Sequence, residues 1–172
     1  MRVPKQSSPR SRPLQPRSQR AALTRSQVMA RIRSTDTAPE VRVRRALHAL
    51  GVRFRKHVAA LPGKPDLANR RNAWAIFVHG CFWHCHKGCR LASNPKSNSS
   101  YWRPKLRRNA ERDQARLREL RRAGFQVFII WECETRAPAR LSTILQRLAK
   151  KLLRAPHLSG ISTKHVSQRQ RA

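Results

Sequence analysis

The densest chemistry in this 172-residue chain lies in one run, His79-Gly80-Cys81-Phe82-Trp83-His84-Cys85-His86-Lys87-Gly88-Cys89. Thiolates and imidazoles are the ligands a tetrahedral zinc ion takes, and loop ligands two to four residues apart can wrap a single ion. Three of the four cysteines fall inside this run, and no secretion signal precedes it, so the clustering favours a metal site over disulfides. Cys133 follows a second apolar run and could complete the set. Spacing alone leaves the ligands open: Cys81, Cys85, Cys89 and Cys133 would serve, and so would a set with His86 in place of Cys85. A structural zinc here would staple a long loop to the sheet. The blander account, free buried cysteines among unrelated histidines, fits a lone cysteine better than this cluster.

A second constellation is Pro65-Asp66, followed thirteen residues after the aspartate by His79. Hydrolysis of a phosphodiester needs charge neutralisation at phosphorus and hydroxide near neutral pH, and a carboxylate-held Mg²⁺ supplies both. Taken alone, Pro-Asp before a strand is more often turn chemistry. It gains weight because imidazoles stand at the end of the strand expected beside it. Carboxylates are scarce, so any metal or acid–base role falls to Asp36, Glu40, Asp66, Glu111, Asp113, Glu119, Glu132 or Glu134. The adjacent aromatics Phe82 and Trp83 admit two readings. They are either core side chains or a wedge that offsets the cost of unstacking bases by its own stacking.

The elements that must position these residues are legible as periodicity. Thr24-Arg25-Ser26-Gln27 has capping-box spacing and opens a short helix through Met29 and Ile32. Thr37-Ala38-Pro39-Glu40 repeats the signal, with Val43, Leu47 and Leu50 on one face and Gly51 as the stop. Residues 52–55 alternate like a half-buried strand, and a turn-rich segment leads into a strand at 66–68. The runs 73–78 and 125–131 are short enough for central strands. A strongly basic helix spans 104–123, with Leu106, Ala110, Leu117 and Leu120 inward, and another helix spans 138–153. Arg107, Arg108, Arg112 and Arg116 on the first of these could contact phosphates or simply face solvent. The order predicts an α/β fold with a mixed central sheet flanked by helices.

Composition narrows the partner. Thirty-nine Lys and Arg against eight Asp and Glu give a formal charge of +31. Residues 1–23 read as a disordered basic arm and 154–172 as a flexible basic tail. Between them 29 basic and eight acidic residues still leave a net +21, so the folded part is itself basic and its expected partner is nucleic acid. No stretch approaches a membrane span and no signal sequence is visible, so a cytoplasmic, nucleoid-associated location and no membrane partner are expected.

Several motifs in order give the chain a resemblance to the very short patch repair (Vsr) endonucleases. They are RSQVM at 25–29, LPGKPD at 61–66, HGCFWH at 79–84 with CHKGCR at 85–90, PKSN at 95–98, Tyr101-Trp102, NAERD at 109–113 and WEC at 131–133. The similarity runs from about Thr24 to about Leu153.

The resemblance implies a restriction-endonuclease-like fold, a variant of the PD-(D/E)XK nucleases with a structural zinc site. The usual acidic-x-Lys element is replaced here by Phe77-Val78-His79. Asp66 would be the carboxylate ligand of catalytic Mg²⁺, assisted by the main-chain carbonyl of Val78. His84 would be the general base, oriented by Asp113, with His79 donating to the scissile phosphate and Glu40 near the metal. The resemblance assigns the zinc ligands to Cys81, His86, Cys89 and Cys133. Phe82 and Trp83 would intercalate from one groove and Met29 from the other.

The implied activity is nicking of the thymine strand 5′ to a T:G mismatch in double-stranded DNA, by a monomer. A zinc-stapled DNA-binding module without catalysis is the competing reading, and a related nuclease of other specificity a third. A pure binder has no need of Asp66, His79, His84 and Asp113, which argues against the former.

Overall fold

A computed structural model describes residues 35–93 and 98–154. The expected basic arm, the helix through Met29 and Ile32, and all but the first residue of the expected tail lie outside the described residues.

Helix α1 spans Ala38–Ala49, with Pro39 in its first turn. The expected capping box takes a different form. The Glu40 carboxylate accepts both the Asp36 N–H (2.9 Å) and the Thr37 hydroxyl (2.7 Å). Its charge also suits the positive end of the helix dipole. Val43 and Leu47 are buried as their spacing predicts, but Leu50 is not. The helix ends at Ala49, and Gly51 at φ +78° turns the chain away. Leu50 therefore serves as the cap and falls off the buried stripe.

Four strands follow: β1 (Arg55–Lys56), β2 (Leu67–Asn69), β3 (Trp74–His79) and β4 (Gln126–Trp131). They lie side by side in that order, with β1–β2 and β2–β3 antiparallel and β3–β4 parallel. The alternation expected over 52–55 is present as burial, with Val52 buried and Phe54 half-buried between exposed arginines, but only Arg55–Lys56 reaches a partner strand. A parallel pair needs a crossover, which α2 (Ser99–Arg122) supplies between β3 and β4. This helix starts five residues earlier than expected. Pro104, taken in the sequence as its opening residue, sits inside it, and Trp102, two residues earlier, is buried. Ala110 is only half-buried. Helix α3 spans Pro138–Arg154.

The sheet separates two cores. Leu67, Trp74, Ile76 and Ile130 pack with Val43 and Leu47 of α1 and with Leu141, Leu145, Leu148 and Leu152 of α3. On the other side, Ala68, Ala75, Phe77 and Phe125 pack with Leu117 and Leu120 of α2. The mixed α/β sheet flanked by helices is thus the architecture the periodicity predicts. Side chains alternate along a strand, so the series Ala75, Phe77, His79 points toward α2. On α2, Asp113 precedes Leu117 by one turn and Leu120 by two, on the same face. The two periodicities aim His79 and Asp113 into one space. Among the described residues no helix is long and apolar enough to cross a membrane.

Candidate metal centre and hydrolytic site

The parallel pair β3–β4 puts His79 opposite Trp131 on its last rung. Cys81 and Cys133 each lie two residues beyond that rung, which is why residues 52 positions apart in sequence meet. The loop then turns back on itself: the N–H of His86 donates to the Cys81 carbonyl (3.0 Å) and that of Cys89 to the His86 carbonyl (3.3 Å). Donor atoms of Cys81, His86, Cys89 and Cys133 consequently lie within 4.8 Å of one another. His86 Nδ1 stands 3.4 Å from the Cys81 sulfur and 3.5 Å from the Cys133 sulfur. Around a tetrahedral zinc, with bonds of about 2.3 Å to sulfur and about 2.0 Å to nitrogen, neighbouring ligands stand roughly 3.5 Å apart. The donor set therefore fits the ion. Burial pushes the Cys81 thiol up to about 12, a cost that a bound cation would offset. Cys85, which the spacing alone left in contention, is exposed, takes φ +52° and directs its sulfur toward the Leu106 carbonyl at 3.9 Å.

The same rung supports an imidazole pair. His79 is buried, and its ring lies parallel to that of His84, 3.8 Å centroid to centroid at 7°. Burial, with a further contribution from His84, lowers the His79 pKa to about 4, so its ring is neutral at physiological pH and keeps one N–H to donate. His84 Nδ1 lies 2.6 Å from Asp113 Oδ2. Burial works to raise the Asp113 carboxyl, but the His84 hydrogen bond and the charges of His84, His79 and Arg112 together outweigh it and hold the group below the usual range. An ionised carboxylate can only accept, so Nδ1 carries the proton. That leaves Nε2 of a neutral His84 as a base.

Asp66 precedes β2 and reaches across to β3, where Oδ2 accepts the Val78 N–H at 2.7 Å. Its pKa is raised to about 6, chiefly by burial and further by Glu40, while the Val78 N–H opposes the rise. Such a carboxylate suits a divalent cation that keeps water and substrate oxygens as its other ligands. Glu40 stands nearby through an intermediary, His57, that no local sequence pattern marks. Two atoms of His57 bridge the gap, Nε2 lying 3.8 Å from Glu40 Oε2 and Nδ1 4.0 Å from Asp66 Oδ1. Asp36, Glu40 and His57 form a second group of close donor atoms.

The expected aromatic pair occupies the loop as well. Phe82 and Trp83 are half-buried, meet edge to face at 5.1 Å and both pack against Trp102 of α2. Gly80 makes room for them, since a Cβ there would come 3.2 Å from the Trp83 ring. Met29 lies outside the described residues. Besides His57, sequence reasoning passed over Trp131 as a site residue. An aromatic ending an apolar strand reads as core, and only its position two residues before Cys133 hinted otherwise.

Comparison with known proteins now defines the class: this is a DNA endonuclease. The family profile described as DNA mismatch endonuclease Vsr matches residues 20–90. The type II nicking enzyme V.NmeAIP of Neisseria meningitidis is 41% identical over 128 residues, which cover 74% of this chain and 91% of that protein. V.XorIIP, a type II nicking enzyme of Xanthomonas oryzae, is 46% identical over 110 residues, 64% of this chain and 80% of the relative. The DNA mismatch endonuclease Vsr of Escherichia coli is 40% identical over 119 residues, covering 69% and 76%. The chain belongs to the Vsr family.

Proposed function

We propose that this endonuclease nicks the thymine strand of double-stranded DNA 5′ to a T:G mismatch in a Mg²⁺-dependent reaction and so initiates very short patch repair. The observation that carries the reading is the His84–Asp113 pair at 2.6 Å, set against neutral His79, the residue after Val78, whose N–H Asp66 accepts. The restriction-endonuclease-like fold, with residues 24–153 as the endonuclease domain between two basic extensions, belongs to the same reading. So do monomeric action and a cytoplasmic, nucleoid-associated location.

Asp66 and the Val78 carbonyl would hold Mg²⁺, which supplies charge neutralisation at the phosphoryl group and lowers the pKa of water. His84 Nε2 accepts the proton of the attacking water, while Asp113 fixes the tautomer and stabilises the imidazolium that results. Neutral His79 donates its N–H to a non-bridging oxygen of the scissile phosphate. Glu40, reached through His57, supports the acidic side of the site. Cys81, His86, Cys89 and Cys133 hold a structural Zn²⁺ that fixes the loop carrying His84. Phe82 and Trp83 wedge into the base stack, a part the family resemblance also gives to Met29. A wobble pair is cheaper to unstack than a matched pair, which supports a mismatch preference.

The test is cleavage of end-labelled duplexes, matched and T:G-mismatched in several contexts, with Mg²⁺. A nick confined to the thymine strand of mismatched duplexes is expected, abolished in Asp66→Ala with DNA binding intact. Trp83→Ala should lose mismatch preference more than overall affinity. Full activity of Asp66→Ala would sink the site assignment. The relatives include both nicking and mismatch enzymes, so nicking of matched duplexes is the alternative outcome.

A further inference from the structure

One side chain joins the two halves of the site. The Trp131 indole lies flat on the His86 imidazole, 4.0 Å centroid to centroid with the planes 1° apart. The same indole meets His79 edge to face at 5.4 Å. His79 stacks on His84, and His84 binds Asp113. A single file of rings therefore runs from the cysteine–histidine cluster to the carboxylate that orients the base. Trp131 is itself held. It shares the last β3–β4 rung with His79, and its main-chain N–H donates to the Glu134 carboxylate at 2.8 Å.

We propose that Trp131 is a positioning residue for the hydrolytic site, clamping His86 on one side and His79 on the other so that the geometry of the zinc loop sets that of the His79–His84 stack. The inference rests on the roles given above to His79, His84 and the zinc cluster. Its physical basis is the rigidity of a flat indole. Two packed faces leave His79 one ring orientation, and the parallel stack passes that orientation to His84. A flexible apolar side chain can fill part of the space without fixing the angle. Partners that orient a metal ligand commonly affect activity by roughly 10- to 100-fold.

The variants are Trp131→Phe, which keeps a smaller flat ring, and Trp131→Met, a flexible apolar side chain closer to Phe in size and without a ring. Each is measured for zinc content, DNA affinity, single-turnover cleavage of a mismatched duplex, and the imidazole NMR resonances of His84, which is linked to Trp131 through the ring of His79. Zinc should stay near one ion per chain and affinity within about threefold. The cleavage rate should fall roughly 30-fold in Trp131→Met and roughly threefold in Trp131→Phe, with the His84 resonances moving in the same order. Wild-type rates in both variants would overturn the proposal. So would zinc loss and weakened binding in step with the rate, which mark a packing residue only. Should Trp131→Met not fold, Trp131→Phe decides: an unchanged rate and unchanged His84 resonances reject the role. If the wild-type chain cuts no duplex, the hydrolytic reading fails, and the His84 resonances still decide whether the rings are coupled.

Discussion

Among the described residues, two clusters offer metal-type ligands, and they are built on opposite plans. At Cys81, His86, Cys89 and Cys133 the thiol and imidazole donors converge on one another, with sulfur–nitrogen spacings that suit one tetrahedral ion. At Asp36, Glu40 and His57 the donor atoms are just as close, yet the protein already occupies them. Both Glu40 oxygens accept hydrogen bonds from the start of α1, and Asp36 is paired with Arg44. Only His57 Nε2 is buried there without a partner. Proximity of ligands is therefore common to both clusters, and what separates them is whether anything else satisfies the donors. The first cluster is left with a deficit that an ion would fill. The second is largely a helix cap that borders the hydrolytic site.

The sharpest break in that comparison is Cys133→Ser. Removing one thiolate leaves three ligands and opens the metal link between the loop and the end of β4. Because metal binding free energy counts as folding free energy, a loss of about 3 kcal/mol or more is expected, lowering the melting midpoint by roughly 10 °C. Zinc content should fall well below one per chain by elemental analysis. A variant that keeps both its zinc and its midpoint would show that the cluster is not a structural metal site.

Glu40 gives the intermediate effect and separates cap from catalysis. Glu40→Ala loses two hydrogen bonds at a helix start, so roughly 1–2 kcal/mol of stability should go, with zinc unchanged. Glu40→Gln keeps an acceptor and should cost less than about 1 kcal/mol. If the Glu40 charge also supports the acidic side of the site, the single-turnover rate of Glu40→Gln should still drop roughly tenfold. A full rate in Glu40→Gln, beside a lowered midpoint in Glu40→Ala, would reduce Glu40 to a cap.

The two clusters also differ in how far the sequence foretold them. The cysteine cluster was legible because its members crowd into nine residues, and Cys133 stands just past a strand whose register could be guessed. The pairing of His84 with Asp113 was reached only through family resemblance. Yet it has a physical signal, because Asp113 occupies a stripe of α2 otherwise given to Leu106, Leu117 and Leu120. A carboxylate in a core stripe needs a partner. His57 and Trp131 left no such trace. His57 takes φ +46° in a segment whose local pattern is weak, and its contacts come from two separate parts of the chain, the start of α1 and Asp66. Trp131 alternates like any strand aromatic, and its stacking on His86 depends on how the loop folds back. The early start of α2 was missed for a related reason: Pro104 reads as a first-turn residue, and tertiary burial of Trp102 outweighed that local preference.

The smallest expected effect is the most discriminating about ligand choice. Cys85 sits between His84 and His86, so a serine there leaves charge and nearly all volume in place. Its sulfur is exposed and contacts only the Leu106 carbonyl at 3.9 Å, a weak interaction that a hydroxyl can replace. Since φ is +52° at this position, serine meets the same backbone cost as cysteine and adds none. Cys85→Ser should therefore change stability by no more than about 0.5 kcal/mol, keep one zinc per chain and cleave within about twofold of the parent. Elemental analysis beside Cys133→Ser reads the contrast directly. Zinc loss from Cys85→Ser would move the fourth ligand from His86 to Cys85. It would then release His86 from the metal and leave its stack on Trp131 as ordinary packing.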